Sequence, residues 1–311
     1  MLRGLTNQRL TAMPTIELRG ARLAGAATLR STLADLLDRL YARDSALDAS
    51  RLMALVVTDD VTAPAQGQTE APPLTREDAA DGCTITLAAP YVEQALGGDT
   101  DQLLQLVHLL HRELWRGQLT LDPVASTPAD ALAAQFAPIV TRMFDEYRAN
   151  RASAWSLPAT ADLLLPHLLG LLEELPAACE RALADYRLDG NLDALAGISM
   201  ARLALLMQTT AFSLGYLAGL GRTVADIAPE LKDGIDASLL GREWPRIAAL
   251  LAGATASEGE ARTLQLDMLR TRVIAVLGAM GLTVGLDDGH CVWTPAAATT
   301  SGTGARRGTL H

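Results

Sequence analysis

The segment 111–118, HRELWRGQ, sets a glutamate, Glu113, between two arginines, Arg112 and Arg116, at the end of an apolar run. On a helix Arg112 and Arg116 share a face with His108 at i, i+4, i+8 spacing, and His108 and His111, three apart, share a face as well. A second carboxylate, Glu146, lies in FDEYRANRASAW, 144–155. Three kinds of chemistry fit these residue types. Glu113 is a carboxylate of the kind that takes up a proton as a general base. His108, His111 and Glu146 together form an HxxH plus Glu set of zinc-ligand types. Arginine carries a permanent charge and offers a metal no lone pair, so Arg112 and Arg116 pair with carboxylates instead. The plainest alternative is a solvated i, i+3 pair of Glu113 and Arg116, worth roughly a few tenths of a kcal/mol.

The elements around these residues follow from period and punctuation. TIEL, 15–18, reads as a strand, positions 23–41 as an amphipathic helix through Leu29, Leu33, Leu36, Leu37 and Leu40, and LMALVV, 52–57, as a buried strand. Residues 59–82 are rich in Pro, Gly and charge and read as one long surface loop. CTITLAAP, 83–90, alternates like a strand ending at Pro90, and YVEQALGG closes a short helix with glycine. Asp99 or Thr100 caps the helix carrying QLLQLVHLLHRELWR, with Gly117 as its stop. In TPAD, Thr127 is read as a cap, Pro128 as the first helical residue and Asp130 as favouring the helix start. Beyond Pro158 the chain is helical to about 281, broken near Gly190, Gly221, 234–238 and 253–259. GLTVGLDDGHCVWTP, 281–295, is a β-hairpin turning on Asp288-Gly289.

The span from about Ile85 to Ser153 resembles the zincin-like metallopeptidases of the HExxH, gluzincin type. It has an edge-like strand ITLAAP, a short helix, a motif helix with LVHLLHREL, and DEYRANRAS on a second helix. In that family two imidazoles at i and i+4 hold zinc and the glutamate between them activates the bound water. Here the register is Arg112, Glu113, Leu114, Trp115, Arg116, an RExxR in place of HExxH. The resemblance implies that Glu113 is a remnant of the base position, that Arg112 and Arg116 stand at lost ligand positions, and that Glu146 stands at the third-ligand position. Their guanidinium groups would then occupy the space of the cation and pair with Glu113 and Glu146. HLLHR matches neither HExxH nor the inverted HxxEH.

The expected fold is α+β and predominantly α-helical: a small zincin-like sheet and helix pair, a helical C-terminal region and a terminal hairpin. The boundaries are 1–13 as a disordered extension or misplaced start, 14–157 as the α+β region, 158–281 as the helical region, 282–295 as the hairpin and 296–311 as a disordered tail. The expected role is that of a catalytically degenerate pseudo-metallopeptidase, with no cofactor, that binds a protein or peptide partner or regulates. The alternatives are an active zinc peptidase using His108, His111 and Glu146, and a helical scaffold module without enzymatic ancestry.

Bulk properties narrow the classes. A net charge of −10 over 311 residues, with Lys232 the only lysine, argues against nucleic acid or anionic membrane as partner. Cys83, Cys179 and Cys291 are scattered without a CxxC, which points to a reducing, cytoplasmic setting. LALLMQTTAFSLGYLAGL, 203–220, is uncharged over 18 residues, but Gln208, Thr209, Thr210 and Ser213 at its centre favour a buried core helix over a membrane span. His167 on an apolar helix is read as structural, Glu173 and Glu174 as helix surface, and the glycines of GYLAGLG, 215–221, as tight helix packing. His290 and Cys291 have no partner in sequence, and nucleophile-elbow, Walker and kinase signatures are absent.

Overall fold

The computed structural model describes residues 14–20, 25–59, 73–119, 128–158, 161–163 and 165–296. The expected N-terminal extension, the tail beyond 296, Thr127 and most of the loop at 59–82 lie outside them. The N-terminal part runs β1 (Thr15–Arg19), α1 (Ala26–Arg43), β2 (Leu52–Thr58), β3 (Leu74–Ala79), β4 (Gly82–Ala88), α2 (Ala89–Leu96) and α3 (Thr100–Leu119). Then follow α4 (Ala131–Ser153), α5 (Leu165–Asp189), α6 (Leu192–Leu220), α7 (Val224–Ile227), α8 (Pro229–Ala237), α9 (Trp244–Ala256) and α10 (Gly259–Ala279). The strands β5 (Leu282–Asp287) and β6 (His290–Pro295) end the described chain. The fold is therefore α+β and mostly helical.

The sheet order is β1-β2-β4-β3, with β1, β2 and β4 parallel and β3 antiparallel at the edge. β2 is buried at Leu52 and from Leu55 to Thr58, as a strand with so apolar a run requires, with Met53 exposed near its start. Two sequence expectations are corrected here. The segment 74–79 of the supposed loop is a strand, because β3 forms a hairpin with β4 across Ala80 and Asp81, and an edge strand tolerates the charges of LTREDA that made it look like a loop. Its presence moves ITLAAP from the edge to the sheet interior, and the strand stops at Ala88, with Pro90 in the first turn of α2.

The apolar side of α3, through Leu106, Leu110 and Leu114, joins α1, β2 and β4 in one core. A second core is built from α4, α5, α6 and the helices that follow. α6 is the one described helix long and apolar enough to cross a membrane, and 67% of that window is buried inside the molecule. It crosses α4 closely: a Cβ at Gly215 would lie 2.6 Å from the Tyr147 carbonyl, and one at Gly219 would lie 2.5 Å from that of Arg151. Gly215 and Gly219 of GYLAGLG thus serve helix packing, as their late position in a helical run suggested, while Gly221 is the left-handed cap that ends α6.

Candidate functional site: an arginine and carboxylate lattice

Three caps and contacts fix the helices that carry the site. Asp99 accepts from the Gln102 amide at 3.1 Å and starts α3. Asp130 accepts from the Ala133 amide at 2.6 Å and starts α4, so Asp130 is the cap and Pro128 stays outside the helix. Gly117 does not end α3, which continues to Leu119; it lies where the helix presses on β4, with room for no Cβ before the Cys83 sulfur at 2.9 Å. That contact seats the last turns of α3, with Glu113 and Arg116, beside the sheet.

The structure brings Arg112, Glu113, Arg116 and Glu146 together. Arg112 Nη2 donates to Glu146 Oε2 at 2.8 Å, and its Nη1 lies 3.1 Å from Glu113 Oε1. Arg116 Nη1 donates to both oxygens of Glu113, at 3.0 and 3.1 Å, while its Nε lies 3.6 Å from Glu146 Oε1. Each arginine therefore bridges the two carboxylates. Glu113 is 2% exposed and Glu146 0%, which rules out the solvated helix end.

More groups complete the lattice than sequence reasoning assigned to it. Gln208 of α6 donates to Glu146 Oε1 at 3.0 Å, and Asn150 donates to Oε2 at 3.3 Å. Arg142 Nε lies 3.3 Å from Glu146 Oε1, and Arg76 Nε of β3 lies 3.8 Å from Glu113 Oε2. Arg142 had a legible signal, standing four residues before Glu146 on one helix. Gln208 had a fainter one, as a polar residue in the middle of an apolar helix. Arg76 had none, since its strand is visible only through its pairing.

Burial alone pushes the Glu146 carboxyl up, but Arg112 and Arg116 outweigh it and hold the group below the ordinary carboxylate range. Arg116 is likewise opposed by burial and held charged by Glu146 and Glu113. Its neighbour Asp145 goes the other way: burial outweighs Arg148 and raises it to about 6. Adjacent carboxyls on one helix are thus shifted in opposite directions, because the arginines outweigh burial at Glu146 and do not at Asp145.

Zinc does not fit this donor set. Arg112 and Arg116 offer a metal no lone pair, and both Glu146 oxygens are already taken, Oε2 by Arg112 and Asn150 and Oε1 by Gln208. Nor are His108, His111 and Glu146 gathered. Trp155 Nε1, which can only donate, gives its hydrogen to His111 Nδ1 at 2.9 Å, so the ring proton sits on Nε2 and points to Asp44 Oδ2 at 3.1 Å. Asp44 Oδ2 also accepts from Trp115 Nε1 at 2.7 Å, and the Arg43 guanidinium stacks 3.8 Å over the Trp155 ring. Burial pushes the His111 pKa down against the pull of Asp44. Among the described residues no group of three or more His, Cys, Asp and Glu is placed to hold a metal ion.

His108 differs. It is 1% exposed, edge-on to Phe212 with ring centroids 6.2 Å apart, and close to the Ser153 backbone and the Asn150 side chain of α4. Burial lowers its pKa to about 4, with the Ser153 backbone offsetting part of that. His167 is exposed in the first turn of α5, Glu173 and Glu174 are exposed on the same helix, and His290 and Cys291 begin β6. Compared with known protein families, curated proteins and solved structures, the chain matches none.

Proposed function

We propose that this chain is a catalytically degenerate zincin-like protein, a pseudo-metallopeptidase that binds a protein or peptide partner or regulates rather than hydrolysing a peptide bond. The observation that carries the reading is the bridging of Glu113 and Glu146 by Arg112 and Arg116. Two guanidinium charges equal the charge of a divalent ion, so the exchange keeps the buried carboxylates neutralised while removing the Lewis acid. Without that ion Glu113, held by arginines, has no metal-bound water to activate. The order of strand, short helix, motif helix and glutamate-bearing helix supports the same reading. The free thiols Cys83, Cys179 and Cys291 favour a cytoplasmic setting.

Zinc stoichiometry tests this. The native chain should purify without stoichiometric zinc, and the Arg112→His, Arg116→His double variant should bind about one equivalent through the two imidazoles and Glu146. Stoichiometric zinc in the native chain, lost on His108→Ala or His111→Ala, overturns the reading in favour of an active peptidase. A double variant that folds by circular dichroism yet takes up no zinc overturns the assignment of a former metal site.

A further inference from the structure

A cavity of about 390 Å³, within the size range of small-molecule sites, lies where α1, the first turns of α3 and the turn after α4 meet. Its apolar wall is made by Leu36, Leu103 and Leu104, each only partly buried, and by the indole of Trp155, which is 40% exposed. One face of α1 lines it at i, i+3, i+4 and i+7, with Thr32, Asp35, Leu36 and Arg39. We propose that this cavity binds a free α-amino acid with a large apolar side chain, its ammonium received by Asp35 and its carboxylate by Arg39.

Asp35 and Arg39 stand about one helical turn apart at the cavity, and both are exposed, so their charged ends are open to a ligand. Neither side chain has an ion-pair or hydrogen-bond partner among the described residues. The neighbouring groups are engaged elsewhere: Arg43, four residues further along α1, is stacked over the Trp155 ring, and the Trp155 N–H is given to His111. The i, i+4 spacing lets Asp35 and Arg39 reach each other, but an exposed pair of this kind is weak and yields to a ligand that satisfies both. An unspent anion and an unspent cation on one turn, beside leucines, match a molecule with opposite charges close together at one end and hydrocarbon at the other. A free α-amino acid has that form. A residue inside a peptide does not, since amide bonds consume both of its charges. A ligand with a single charge would meet its partner together with a like charge one turn away, which cancels part of the attraction. The leucines and the indole set the other requirement, because a side chain as small as alanine's would leave most of that wall in water.

The inference goes beyond the zincin reading and does not rest on it, since amino acid binding here and the absence of zinc are separate results. Titration calorimetry of the full chain with L-leucine and L-phenylalanine tests it, against N-acetylleucine, leucinamide, N-acetylleucinamide and alanine. Leucine and phenylalanine should bind. N-acetylleucine and leucinamide, each lacking one charge, should bind about 10-fold or more weakly, as for loss of a charge-assisted hydrogen bond. Alanine should be weaker by a similar factor for want of buried hydrocarbon. Asp35→Asn should weaken leucine about 10-fold and leave N-acetylleucine no weaker, and Arg39→Gln should do the same with leucinamide as the unaffected ligand. Both positions are exposed, so the variants should fold as the native chain does by circular dichroism. Equal binding of leucine and its singly capped forms, no binding of leucine or phenylalanine at millimolar concentration, or affinity indifferent to both substitutions overturns the proposal. Tightest binding of N-acetylleucinamide, which carries neither charge, overturns it as well and marks the groove as a docking face for an apolar protein surface.

Discussion

The two sides of α4 are held by opposite means. Toward α3 the contact is made by long charged side chains, with Glu146 as the buried centre of a set of guanidinium and amide donors. Toward α6, apart from the Gln208 hydrogen bond to Glu146 and the shared apolar core, the closest approach is at Gly215 and Gly219, where a missing side chain lets helix backbone meet helix backbone. The first side depends on electrical balance and the second on shape. A buried charge left alone is expensive in a way that a displaced methyl group is not, so the two sides should fail to different degrees.

Removing the centre of the charged side should cost the most. Glu146→Ala strands Arg112 and Arg116 in a buried site, and denaturant unfolding should show a loss of about 3–5 kcal/mol. A loss below about 1 kcal/mol would mean that the arginines escape to water and the lattice holds nothing. Next comes the seam where both sides meet, at His108, which lies near Asn150 and Ser153 of α4 and against Phe212 of α6. Its folded pKa of about 4 lies below the ordinary 6.5. Between those pH values the unfolded chain binds a proton that the folded chain refuses, so the His108 contribution to stability falls as pH falls, by about 3 kcal/mol for a shift of this size, against the opposite contribution of Asp145. His108→Leu should remove that slope; an unchanged slope would place its origin elsewhere.

Spoiling the shape-dependent side should cost less. Gly215→Ala drives a methyl into the Tyr147 carbonyl and should lower stability by about 1–3 kcal/mol without altering its dependence on salt. Smallest is Arg142→Ala, since this arginine is 46% exposed and its pairing with Glu146 is screened. A change under about 1 kcal/mol is expected, shrinking further in high salt, and a larger one would show that Arg142 belongs to the buried lattice rather than its margin.

The contrast between the two sides also explains what the sequence disclosed. The glycine contact was legible as packing because GYLAGLG sits in an apolar helix that follows no strand. The core of the lattice was legible because Glu113 and Arg116 share a helix turn and Glu146 lies in a segment resembling a ligand-bearing helix. The rest was hidden by distance along the chain. Asp44 and Trp155, which claim both nitrogens of His111, come from the end of α1 and the turn after α4, and no local pattern joins them to α3. Arg76 was hidden by a different cause, since a charged edge strand carries no apolar run and is defined by the neighbour it pairs with. Gly117 misled because a glycine near a helix end signals a stop, whereas here it is the place of closest approach to Cys83.

The node around His111 gives the molecule an optical reporter. Two of the four tryptophans, Trp115 and Trp155, have their indole N–H groups bound into it, one to Asp44 and one to the imidazole. Each bond has one end on α3, so when that helix leaves both the end of α1 and the turn after α4 the two are lost, and indole fluorescence should follow the docking of the site-bearing helix.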